Sequence, residues 1–133
     1  MRVIGIRAEP NAFLWAVSEG TLQTPILVSA DRVACPTTFP FAKGANFLRS
    51  RLIQIIAENH VTSAGVRTPE TMPRSTEALR QRLRIEGALL VACGEVDLEV
   101  TQGPLATMSR LLRVKSAKIS VESDEFSAPN AVR

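Results

Sequence analysis

The sequence predicts an α/β domain built on a mixed sheet of five strands, in the order β-β-β-α-β-α-β-α. Three observations predict it. The first thirty residues hold three β-rich runs divided by turn residues, which is the pattern of an antiparallel meander. Two segments of helical periodicity then alternate with short strands rich in small and β-branched residues, as crossover connections require. The chain has 133 residues, enough for one well-filled core and too few for two ordinary domains.

Each element has a local reason. Residues 2–8 carry Val3, Ile4 and Ile6, residues 12–18 carry the run FLWAV, and residues 24–30 carry PILVSA. Glu9-Pro10-Asn11 and Glu19-Gly20-Thr21 supply the two turns between them. After a loop with Pro36 and Pro40, residues 44–59 place Phe47, Leu48, Leu52, Ile55 and Ile56 at helical spacing. Residues 61–67 (VTSAGVR) read as a strand lying parallel to the first, ended by Thr68-Pro69. Ser75 offers a cap for a second helix whose apolar stripe runs through Leu79, Leu83, Leu90 and Cys93 to a stop at Gly94. Residues 96–101 (VDLEVT) alternate as a strand, Gly103-Pro104 breaks it, and residues 105–113 start a third helix. The domain thus spans 1–113. Residues 114–133 form a polar extension in which Ile119, Val121 and Phe126 are expected to pack on the domain or on a second copy, since an open sheet edge could pair with an added strand and make a homodimer.

Composition removes several function classes. Hydrophobic residues make up 45% and charged residues 22%, and the longest apolar run, residues 87–93, is far too short to cross a bilayer. No secretory signal is legible at the N-terminus, so a cytoplasmic protein without a membrane role is expected. Cys35 and Cys93 show no CxxC spacing and read as reduced thiols, while the lone His60 cannot assemble a histidine metal site and reads as a surface residue. Five Phe, one Trp and no Tyr leave few rings for stacking single-stranded bases.

Charge is unevenly placed. Residues 43–84 hold eight basic residues against three acidic ones, whereas residues 86–99 hold four acids and no base. Lys43, Arg49, Arg51, Arg74, Arg80, Arg82 and Arg84 therefore form a candidate surface for nucleic acid or an acidic protein partner. The same residues also suit ordinary solvated helix faces, Glu77 and Arg80 being spaced as a helical pair.

The opening strand VIGIRAEPN, a second strand that folds straight back and a small-residue fourth strand together resemble the RNase H-like fold, and within it the RuvC-like resolvase branch, over residues 2–113. That resemblance implies acidic side chains converging from the ends of the first and fourth strands and from the last helix to hold two Mg²⁺ ions. At the matching positions this chain has Arg7 and Arg67, and Thr101-Gln102-Gly103-Pro104 precedes the last helix. A guanidinium removes an oxygen ligand and opposes the cation, so the expectation is a catalytically inactive domain that needs no cofactor and binds nucleic acid or a protein partner. The alternative is a divergent Mg²⁺-dependent nuclease or Holliday junction resolvase that uses Glu9 and Glu70, with Glu86 as a further carboxylate.

Glu86 is expected on the inner side of its helix. It could offset Arg7 and Arg67 in an internal ion-pair network, with Glu70 adding to it; Glu86→Gln would then cost about 3 kcal/mol if the pair is fully buried. On the other reading, one arginine remains available for an external phosphate or carboxylate, which a guanidinium fork matches.

Overall fold

A computed structural model describes residues 1–20, 24–69 and 76–103. Three strands open the chain, β1 (Arg2–Glu9), β2 (Ala12–Gly20) and β3 (Pro25–Ala34). They are followed by α1 (Phe41–Glu58), β4 (Ser63–Arg67), α2 (Glu77–Glu95) and β5 (Glu99–Gly103). The sheet order is β3-β2-β1-β4-β5; β1–β2 and β2–β3 are antiparallel, while β1–β4 and β4–β5 are parallel. This is RNase H-like topology as far as β5. The third helix expected at 105–113 and the extension 114–133 lie outside the described residues.

Strand alternation decides which side is core. Ile4, Ile6 and Ala8 of β1, Phe13, Trp15 and Val17 of β2, and Ala64 and Val66 of β4 form one buried cluster with Leu48, Leu52, Ile55 and Ile56 of α1 and Ile85, Leu89, Ala92 and Cys93 of α2. Both helices therefore cover the same face of the sheet. The odd-numbered residues of β1 and β4, Arg7 and Arg67 among them, point to the other face. His60 lies exposed in the turn after α1, with φ of 53°. The αL conformation there ends the helix, and its N–H donates to the carbonyl of Ala57.

Element boundaries differ from the sequence reading in ways that have physical causes. β3 runs on to Ala34 rather than ending at residue 30, because pairing with β2 continues through Trp15–Asp31, Leu14–Arg32 and Phe13–Val33. α1 begins at Phe41, immediately after Pro40, whose extended backbone starts the helix without a side-chain cap. β5 starts at Glu99, three residues later than expected, because residues after α2 turn through Asp97 at φ of 54° before joining β4.

α2 is capped by Thr76, one residue past the expected Ser75: its Oγ1 accepts from the Leu79 N–H at 3.1 Å. Thr76→Ala is expected to lower stability by about 1 kcal/mol, read as a lower melting temperature, and an unchanged melt would show that the cap adds nothing. The buried stripe of α2 also departs from expectation. It follows Ile85, Glu86, Leu89, Ala92 and Cys93, whereas Leu83 is 45% exposed. The stripe is rotated rather than reversed: Cys93 and Glu86 are buried and Leu79 and Leu90 half-buried as expected, while Leu83 turns outward and Ile85 and Leu89 turn inward.

Candidate functional site

The β1–β4 register sets Arg7 beside Arg67, and the β1–β2–β3 register continues the row through Leu14 to Arg32. All four side chains leave the sheet on the face opposite the helices, which gives three guanidiniums along one line. A fourth arrives from α2. Arg82 extends to the carboxyl ends of these strands, where its Nη2 donates to the Arg67 carbonyl at 3.5 Å. Arg7, Glu9, Pro10, Asn11, Arg32 and Arg82 line an open groove of about 410 Å³.

Electrostatics identify the neighbours. Burial, and then the like charge of Arg7, pull the Arg82 guanidinium below the usual arginine range; Glu86 opposes this, Arg67 adds to it and Glu9 opposes it. Arg82 stays cationic, so the groove is a place where positive charge is concentrated. Its Nε is buried without a hydrogen-bond acceptor. Glu9 is already engaged: its Oε1 accepts from Arg32 Nε at 2.9 Å.

Glu86 is 7% exposed, and its Oε1 is buried without a donor. Burial raises its carboxyl above the ordinary value, and Arg82, one helical turn earlier, pulls in the opposite direction. Among the described residues no ion pair joins Glu86 to Arg7 or Arg67. The cation whose charge acts on Glu86 is Arg82 from its own helix, and Glu70, the other expected member of the network, lies outside the described residues. Helical spacing puts Glu86 on the inner side of α2, while the two strand arginines leave the sheet on the other side.

The wider basic set is dispersed over the helices. Arg49 binds Glu95 at 2.6 Å and Asn46, Arg51 donates to Gln54, and Arg80 pairs with Glu77. Lys43 sits 4.2 Å from the Phe39 ring centre and Arg84 5.8 Å from that of Phe41. Arg82 is the member of this set whose electrostatic neighbours include Arg7 and Arg67; Arg74 and Glu70 lie outside the described residues. Sequence reading missed Arg32 and Asn11, although the continued alternation VSADRVA was the available sign that β3 reaches them.

Among the described residues no three of His, Cys, Asp and Glu come together as a metal site.

No protein-family model matches the chain, and no curated protein matches it in sequence. Solved structures do. The structure of RuvC from Thermus thermophilus aligns at 18% identity with a TM-score of 0.71, covering 87% of this chain and 71% of that one. T. thermophilus RuvC in complex with Holliday junction substrate aligns at 17% identity with a TM-score of 0.70, covering 83% and 68% respectively. At these identities the likeness shows a RuvC-like, RNase H-like fold. Among the described residues no helix is long and apolar enough to cross a membrane.

Proposed function

We propose that this chain is a non-catalytic RNase H-like domain that binds the phosphate backbone of nucleic acid through Arg7, Arg67 and Arg82. The observation that carries this reading is the gathering of these guanidiniums at the ends of adjacent parallel strands, beside Arg32 and Asn11. Guanidinium forks match phosphate oxygens bidentately, and backbone contact asks for no base readout. A duplex is favoured over a single strand because rings for stacking are scarce: Trp15 is buried in the core, and Phe39 and Phe41 already lie under cations. A protein of the same fold was captured with a Holliday junction, so branched duplex is the first substrate to try.

The test has two arms. Purified protein with Mg²⁺ or Mn²⁺ and branched, single-stranded or hybrid nucleic acid is expected to bind without cleaving. Cleavage that is lost on Glu9→Gln or Glu70→Gln would overturn the proposal and establish the divergent nuclease. Absence of binding even at low salt, together with capture of an acidic protein by the intact chain, would move the arginine site to a protein partner.

A further inference from the structure

The groove at the carboxyl end of β1 suits the end of a ligand more than its length. At about 410 Å³ it lies in the range of pockets that take one small group, roughly 300–1,000 Å³, whereas a duplex backbone runs along a surface. Its wall is fixed from both sides of the β1–β2 turn. Glu9 Oε1 accepts from Arg32 Nε at 2.9 Å, and the Asn11 carbonyl accepts from the N–H of Cys35, just past β3, at 3.1 Å. Among the described residues Arg7, Arg32 and Arg82 bring three positive charges to the lining against the one negative charge of Glu9. Arg82 has already lost water at its Nε, which is buried without an acceptor. An anion that reaches this guanidinium therefore causes little further desolvation.

We propose that this groove takes the terminal phosphate of a nucleic-acid strand, a phosphomonoester, in preference to the internal diesters of the backbone. This inference rests on the phosphate-binding reading above and names the group that the same site selects. A phosphomonoester at neutral pH carries about −1.5 to −2 charges and three acceptor oxygens, whereas a backbone diester carries one charge. The lining side chains sum to two positive charges, so the dianion matches them and the diester leaves half of that charge uncompensated. The guanidiniums arrive from three separate elements, β1, β3 and α2, and three phosphate oxygens can each accept from a different one. Asn11 adds an amide to the same lining. Shape agrees with charge. A strand end enters with a nucleotide on one side only, whereas an internal phosphate must bring both of its flanking nucleotides into the groove.

Fluorescence anisotropy of the full chain tests this with short duplexes of one sequence, whose ends carry a 5′-phosphate, a 3′-phosphate or hydroxyls only. A hydroxyl-ended duplex lengthened to the same total charge controls for the added phosphate. One of the phosphorylated ends is expected to bind about tenfold or more tighter than both hydroxyl-ended duplexes. Arg32→Gln and Asn11→Asp, at exposed positions, each remove positive charge or add negative charge in the groove, and that preference should disappear in both. Equal affinity for phosphorylated and hydroxyl ends overturns this inference and leaves backbone binding standing. Absence of binding to every duplex at low salt overturns both. A preference that persists at full size in the two variants places end recognition elsewhere and overturns the assignment to this groove.

Discussion

Replacing Arg7, Arg67 and Arg82 together by Gln is expected to remove most of the salt dependence of duplex binding. Each phosphate neutralised contributes a log–log slope of about −0.9, so three such contacts account for about −2.7. Over a fourfold rise in salt the wild type should therefore lose about fortyfold more affinity than the triple variant. Gln keeps much of the bulk and hydrogen-bonding capacity while deleting the charge. The single change Arg51→Gln offers a comparison, since that side chain rests against Gln54 on α1 and is not joined to the cluster. Equal losses from Arg51→Gln and from one cluster arginine would place binding on the general basic surface. A triple variant with the slope of the wild type would remove the arginine groove from nucleic-acid binding.

Glu86→Leu is expected to stabilise the domain at neutral pH by about 1–3 kcal/mol. The carboxylate is buried with Oε1 unpaired, and a buried polar atom without a partner carries a penalty of that order, which an apolar side chain of similar size does not. Glu86→Gln should instead remove the titration. The folded-state value is raised above the ordinary 4.5, so the folded protein holds a proton that the unfolded chain has released. Stability from this group is thus fully present below 4.5 and is lost as pH rises through the folded-state value, after which the penalty is constant. Denaturation midpoints across that window should fall with rising pH in the wild type and show less of that fall in Glu86→Gln. Loss of stability in Glu86→Leu would mean that attraction to Arg82 outweighs the burial cost. That result would restore to Glu86 the strongly stabilising role expected from sequence, with a different cation.

A buried, poorly paired carboxyl beside a cluster of arginines is also a local inconsistency, the kind that accompanies a site rather than a scaffold. Helical spacing placed Glu86 on the inner side of α2. It could not say which guanidinium would share its surroundings. That depended on Arg82 lying one turn earlier on the same helix and on the strand arginines leaving the opposite side of the sheet.

Period-two and period-3.6 patterning, with turn residues at fixed places, were sufficient for the element order, because these signals arise within a few residues of each other. β-β-β-α-β-α-β, the antiparallel opening and the parallel return of β4 beside β1 were all legible in the chain. Arg7 and Arg67 were legible as neighbours near the ends of parallel strands, and the structure sets them side by side in register. Tertiary structure alone decided three things. It rotated the buried stripe of α2, turning Leu83 outward and Ile85 and Leu89 inward while keeping Glu86 and Cys93 inside. It extended β3 to Arg32, because a strand continues for as long as its neighbour offers hydrogen bonds. It drew Arg82 out of a basic run of seven and set it at the ends of β1 and β4, because side-chain neighbourhood depends on how elements pack, and packing contacts join residues far apart in the chain.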